Sequence, residues 1–344
     1  MTRQEQFQAL FPGEKPFRWK QMEQALFQPN LQTWSDITSL GKAMRETLEQ
    51  EVPWVSWSES QVFTSSKRDT YKALLTLEDG LQIETVLMEN SRGDWTMCVS
   101  SQVGCAMKCG FCATGKMGLK RSLTSDEITD QYRFWTQYLK KNSPSPQRIS
   151  NAVFMGMGEP LANYDNVKKT IQTWLAYTDL GPTHITVSTV GLIPLLQKIL
   201  TDPDWPHVRL AVSLHSADPK TRKEIVPTSH PKFIPLFKAW AHEYLERFGN
   251  RRHHLTFEYV MLKDVNDTPH HAQALAELVN DLGQIKVNLI PYNFTHLGFK
   301  RSLDSQIYQF KDFLTRNGVD VTVRKTMGDD IAAACGQLIT ETNS

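Results

Sequence analysis

An α/β fold with a parallel sheet is predicted by three observations. From Thr96 onward, short β-rich segments alternate with helical stretches. The polar and glycine-rich groups in that part follow the β-rich segments. Ahead of it lie a stretch with helical periodicity and then a hairpin pattern. Repeated β–α units require right-handed crossovers and a parallel sheet, either open or curled into a barrel.

The elements follow in order. Residues 1–55 read as a helical accessory domain, with apolar residues at helical spacing over Phe17–Phe27 and Trp34–Leu48. Residues 56–95 read as a small β extension or linker. Within it Thr70–Leu77 and Gln82–Met88 alternate apolar and polar residues around Glu78-Asp79-Gly80, a hairpin with Asp-Gly at its turn. Residues 96–344 read as a third and largest domain of β–α units. Its predicted strands are Met97–Ser100, Ile149–Met155, His184–Ser188, Val208–Ser213, Leu255–Met261 and Lys286–Ile290, with Val319–Arg324 as one more. Helical stretches include Leu123–Lys140, Pro235–Phe248, Ala272–Leu282 and Ser305–Asn317, the first opened by a capping box at Thr124-Ser-Asp-Glu127.

Composition narrows the class. At 344 residues the chain has room for about two domains. A net charge of +1 gives no global attraction to nucleic acid, so an RNA partner would be held by local patches. Met1–Phe7 lacks the apolar run of a signal peptide, and no apolar run approaches the roughly 20 residues of a membrane span. Five cysteines in so long a chain do not make a disulfide framework. A cytoplasmic protein without membrane attachment is the expectation.

Three of those cysteines are close together. Cys105, Cys109 and Cys112 stand in a Cys-x3-Cys-x2-Cys loop after the first predicted strand of the third domain. Three thiolates from one loop leave an open coordination position. An iron–sulfur cluster with one free iron fits that set. A zinc knuckle completed by Cys98 or a histidine fits it too, and would make the chain a non-catalytic zinc-bearing RNA-binding protein. Gly156-Met-Gly-Glu-Pro160 follows the second strand, Ser188-Thr-Val-Gly191 the third, Ser213-Leu-His-Ser216 the fourth and Pro291-Tyr-Asn293 the sixth. Strand C-termini are where α/β sheets and barrels place their active sites, so one large site at a barrel mouth is expected.

The triplet loop, its Phe111 and the Gly-Glu-Pro motif resemble the radical S-adenosylmethionine enzymes. The likeness extends to Glu84-Thr-Val, Cys98-Val-Ser-Ser-Gln-Val-Gly-Cys105, Met155-Gly-Met-Gly-Glu-Pro-Leu161 and Ser213-Leu-His. It continues in Asn288-Leu-Ile-Pro-Tyr-Asn293 and in Arg324–Gln337. In order from Glu84 to Gln337, these motifs resemble the RlmN/Cfr family of RNA adenosine methyltransferases.

The resemblance implies a partial (βα)6 barrel, a [4Fe–4S] cluster on Cys105, Cys109 and Cys112, and S-adenosylmethionine on its open iron. Gly158, Glu159, Ser188, Ser213, Leu214, His215 and Asn293 match the family's cofactor contacts. Cys335 would take a methyl group from one cofactor molecule. A deoxyadenosyl radical from a second would remove a hydrogen from that methyl, and the carbon would add to adenine. Cys98 would release the product through a transient disulfide with Cys335, and Glu84 would accept the ring proton.

The implied substrate is an adenosine in the peptidyl-transferase region of 23S ribosomal RNA, methylated at C2, with transfer RNA as a further candidate. A flavodoxin-type protein is the kind of electron donor expected. Arg324–Asp330 looks like the C2 branch, while the Glu84-to-Cys98 spacing, Ala113-Thr-Gly and Leu123–Gln131 resemble the C8 branch, associated with antibiotic resistance, as well.

Taken singly, Glu84 reads as a solvated strand carboxylate, His215 as structural, and Cys98 and Cys335 as small hydrophobes. The pairs His253-His254 and His270-His271 read as surface residues. Lys116, Lys120, Arg121, Arg251-Arg252, Lys300-Arg301 and Arg324-Lys325 are candidates to neutralise phosphates near the mouth. Phe17, Arg18, Trp19 and Lys20 are candidates to grip folded RNA.

Overall fold

The computed structural model describes residues 1–143, 147–249, 255–283 and 285–339. Its main sheet has ten strands. In chain order the strands are β1 (Trp57–Thr64), β2 (Thr70–Leu77), β3 (Gln82–Glu89), β4 (Trp95–Cys98), β5 (Gln102–Val103) and β6 (Arg121–Ser122). They continue as β7 (Ile149–Phe154), β8 (Ile185–Thr189), β9 (Arg209–Ser213), β10 (Leu255–Met261), β11 (Ile285–Pro291) and β12 (Asp320–Val323). The order in the sheet is β1-β2-β3-β4-β7-β8-β9-β10-β11-β12, and β5 pairs with β6 apart from it. From β4 to β12 every neighbour is parallel, while β1 to β4 are antiparallel. The hairpin therefore extends the parallel sheet edge to edge.

The hairpin turn follows from its residues. Gly80 takes φ +78, and Asp79 accepts a hydrogen bond from the Leu81 amide at 3.1 Å. β1 lies outside the sequence expectation for a physical reason. It is an edge strand with mostly exposed residues, so no alternating apolar pattern marks it.

The N-terminal residues form helices Arg3–Leu10, Pro16–Ala25 and Lys42–Glu51. Phe7, Trp19, Met22, Trp34 and Leu48 make a core of their own. Trp34–Leu48 is not one helix, as its periodicity suggests. Thr33 and Asp36 cap a short 3-10 turn, and the Trp34 indole donates to the Val52 carbonyl at 2.6 Å. A new helix starts after Gly41. Trp19 is buried in this core, whereas Phe17 is exposed.

Helix Ser125–Asn142 packs between this core and the barrel. Its capping box forms as the sequence indicates: Thr124 Oγ1 accepts from the Glu127 amide at 3.2 Å, and Glu127 accepts from the Thr124 amide at 2.8 Å. On its buried face Asp130 accepts from Arg3, from Arg133 at 2.6 Å and from the Ser56 amide at 2.8 Å. Arg133 also donates to the carbonyls of Leu26 and Trp54. This ionic clasp ties the N-terminal helices to the barrel.

His271 corrects the surface reading of its pair. It is buried at the start of helix Pro269–Leu282, with its ring between Thr268 Oγ1 at 2.7 Å and Thr221 Oγ1 at 3.0 Å. His253, His254, Arg251 and Arg252 lie outside the described residues. No helix among the described residues is long and apolar enough to cross a membrane.

Candidate active site

The sheet turns its strand C-termini toward one cavity, lined by Cys105, Cys109, Cys112, Gly158, Glu159, Ser188, Ser213, His215, Glu258 and Cys335. Each part has a local cause. The triplet loop turns sharply after β5 at Gly104, φ +75, where a Cβ would meet the Gly118 carbonyl oxygen at 1.8 Å. Backbone bonds from Gly110 to Ile225 and from Ala113 to Gly336, at 2.9 and 2.8 Å, then fix the loop against the barrel and the C-terminal segment.

Cys105 and Cys109 are buried and Cys112 half-buried. Burial pushes the Cys105 thiol up to about 12 and the Cys109 thiol higher still, and the neighbouring sulfurs repel each other's charge. Two such thiols resist ionising alone and are stabilised as thiolates by bound positive charge. That fits iron–sulfur ligation, which takes one thiolate per iron. Among the described residues no three His, Cys, Asp or Glu side chains converge on a single ion. Cys98 lies near Cys335 and Arg324 rather than near the triplet.

Opposite the triplet, Gly156 passes so close to Val99 that a Cβ would lie 2.7 Å from its carbonyl. Gly158 adopts φ +99 against Gln102. Glu159 is buried and accepts from the amides of Val190 at 2.8 Å and Leu161 at 3.0 Å. Burial raises its pKa against those bonds. Ser188 and Ser213 hydroxyls meet at 3.3 Å. His215 is held at φ +56, its Nδ1 accepting from the Val260 amide at 3.1 Å and its ring edge on Phe111. Burial, helped by Arg222, lowers its pKa to about 3, so it is neutral near pH 7. Leu214 points into the core; its amide and carbonyl, bonded to Glu258 and Arg222, hold the strip in place.

Two expected residues lie elsewhere. Asn293 lines a second cavity and donates to the Cys335 carbonyl at 3.0 Å, so it holds the C-terminal loop. Glu84 lines neither cavity. It is buried, not solvated, paired with Lys72 at 2.7 Å and accepting from the Ile339 amide at 2.8 Å. Burial raises its pKa, opposed by Lys72.

Cys335 is exposed into both cavities, and Cys98 lines only the second. Both are free thiols; burial pushes the Cys98 pKa up, and the Cys335 sulfur, open to the cavities but screened from bulk water by their walls, is pushed up by the same desolvation. Sequence reasoning missed Glu258, whose Oε2 has no partner although the side chain is buried. Its signal was a carboxylate inside the otherwise apolar Phe257-Glu-Tyr-Val-Met261.

The fold and site define a radical S-adenosylmethionine enzyme. The radical SAM superfamily profile matches residues 99–279. A dual-specificity RNA methyltransferase RlmN from Alcanivorax borkumensis is 40% identical over 95% of this chain and 85% of its own. A radical SAM methyltransferase from Sphaerobacter thermophilus superposes with a TM-score of 0.88 at 34% identity, covering 98% of this chain and 97% of that one. The chain belongs to the RlmN family of RNA methyltransferases. Its cofactors are a [4Fe–4S] cluster and S-adenosylmethionine, which displaces the zinc reading.

Proposed function

We propose that this enzyme converts adenosine to 2-methyladenosine in the peptidyl-transferase region of 23S ribosomal RNA and in transfer RNA. The observation that carries this reading is the position of Cys335 in a wall shared by two cavities, one with the triplet and one with Cys98. The dual-specificity relative, alike over nearly the whole chain, supports the choice of RNA.

When bound, the cluster and S-adenosylmethionine supply the methyl group and the radical chemistry. Cys105, Cys109 and Cys112 hold the cluster. Gly158 and Glu159 receive the cofactor's ammonium, for which the buried Glu159 carboxylate is a fitting acceptor. Ser188, Ser213, Leu214 and His215 position the rest of it, the last two through the backbone strip they stiffen. Asn293 acts through the loop it fastens. Cys335 would carry the methyl carbon; Cys98 would attack its sulfur, forming the Cys98–Cys335 disulfide as the sulfur–carbon bond breaks and the released carbon takes up a proton, and an external thiol reductant would restore both cysteines. Glu84 accepts the ring proton once the segment at Ile339, which occupies its carboxylate, moves aside.

The chain divides near residues 55 and 95 into the helical, β and catalytic parts of the sequence reading. The protein works in the cytoplasm with a flavodoxin-type electron donor. The test is incubation of the reconstituted enzyme with unmodified ribosomal and transfer RNA, followed by nucleoside analysis. The expected product is 2-methyladenosine from both RNAs; 8-methyladenosine, or no methylated nucleoside, overturns the assignment.

A further inference from the structure

We infer that the second cavity, on the Cys98 side of Cys335, is the seat of the target nucleotide, with Arg209, Arg324 and Lys325 receiving its phosphodiester groups. This rests on the RNA-methylating function proposed above. The cavity measures about 430 Å³, within the roughly 300–1,000 Å³ of small-molecule sites. It runs from Cys98 and Cys335 down the inner face of the sheet to Asn151 and Arg209, near the strand N-termini. The nucleotide thus enters from the side away from the cluster loop.

Charge separates the two cavities. Glu159 and Glu258 line the cluster side, His215 there is neutral, and among the described residues no Lys or Arg lines it. That side suits a ligand bearing an ammonium and a sulfonium. The other side carries Arg209, Arg324 and Lys325 against one carboxylate, Glu89. None of the three cationic side chains has a hydrogen bond or ion pair among the described residues, and Arg209 Nε is buried without a partner. Arg324 also feels Glu258 on the cluster side, but three cations without a hydrogen bond or ion pair, lining one space, are a polyanion site in a chain whose net charge gives no general attraction to RNA.

Geometry agrees with charge. Among the described residues only Met155, Ile290 and Cys335 line both cavities. A base in the larger one meets the Cys335 sulfur from the face opposite the cofactor, on the side where Cys98 must later act. Arg324 interacts electrostatically with both cysteines, so a phosphate on it brings the nucleotide to them.

The test measures binding of a short adenosine-containing RNA hairpin to reconstituted enzyme across a salt series. R209Q/K325Q should weaken binding about tenfold at 0.15 M salt and flatten the log–log salt slope by about 1.8, the value for two lost phosphate contacts. R209K/K325R, which keeps both charges, should restore most of the affinity and guards against misfolding of the first variant. Binding unchanged in R209Q/K325Q, or lost instead in K116Q/K120Q beside the cluster loop, overturns the assignment. Wild-type enzyme that binds the hairpin but methylates no adenosine marks failure of the functional reading itself, and the inference falls with it.

Discussion

Two buried polar regions of this molecule are built on opposite rules. In the clasp, Asp130 has both carboxylate oxygens bonded, to two guanidinium groups and a backbone amide. Burial alone would raise its pKa, yet Arg3 and Arg133 outweigh that and lower it. In the active site Cys105, Cys109, Glu159 and Glu258 are all pushed up by burial, and Glu258 Oε2 and, in the adjoining cavity, the Arg209 Nε have no partner. The Asp130 carboxylate, with both oxygens bonded, holds parts together although Arg133 Nη2 beside it has no partner; a carboxylate and a guanidinium left without partners on cavity walls await ligands that complete them. The comparison predicts that clasp substitutions cost stability, and site substitutions cost activity.

The largest effect is expected at Cys335. C335A should lower RNA methylation more than ten-thousandfold, a barrier change of more than about 5 kcal/mol, with little change in Tm because the exposed thiol leaves no buried group unpaired. C98A should instead trap a covalent RNA–protein adduct, visible as a band of retarded mobility that nuclease removes. An active C335A, or a C98A that turns over normally, breaks the assigned division between the two cysteines.

The next effect is on stability. D130A strands Arg3 and Arg133 in the interior, which should cost about 3–5 kcal/mol in denaturant unfolding. Enzyme that remains folded should still acquire its methyl on Cys335, read by intact mass. Loss of methylation from a fully folded D130A would show that the clasp also shapes the site.

The two regions also differ in how they could be read from sequence. The triplet, Gly156-Met-Gly-Glu-Pro160 and Ser213-Leu-His215 were legible because their chemistry sits within a few residues. So were β10, where Leu255–Met261 was read to the residue, and the hairpin with its Asp79-Gly80 turn. The clasp was not legible, because Arg3 and Asp130 are 127 residues apart and each alone resembles a surface charge. Glu84 was read singly as a solvated strand carboxylate for the same reason, and its burial depends on Lys72 and on Ile339, far away in the chain. The two-cavity arrangement is equally non-local, since it depends on how the Cys335 loop lies across the sheet.

A smaller, pH-dependent effect is expected at Glu258. Its folded pKa is raised by burial, with Arg324 and Asn288 only partly opposing that. Between its ordinary value near 4.5 and the raised folded value, the folded state holds more protons than the unfolded one. Stability therefore falls as pH rises through that window, and above it the buried charge carries its full cost. E258Q should raise stability at pH 7 by about 1–3 kcal/mol, the scale of an unsatisfied buried polar group. The gain should shrink as the pH approaches 4.5. A variant less stable than wild type at pH 7 would mean that Glu258 has a partner in solution and belongs with the satisfied network.

The smallest effect tests whether depth, rather than bonding alone, gives the clasp its weight. Glu127 is also fully engaged, accepting from the Thr124 amide and from Arg121 at 2.8 Å, but it lies at the solvent-facing start of the helix whose interior holds Asp130. T124A removes the reciprocal half of that box and should cost about 1 kcal/mol, with no change in methylation. T124S, which keeps the hydroxyl, should cost only a few tenths. Water can replace the lost bond at Thr124, whereas none reaches Asp130. If T124A proved as damaging as D130A, the contrast would lie in the number of bonds, and burial would not be what distinguishes the two ends of this helix.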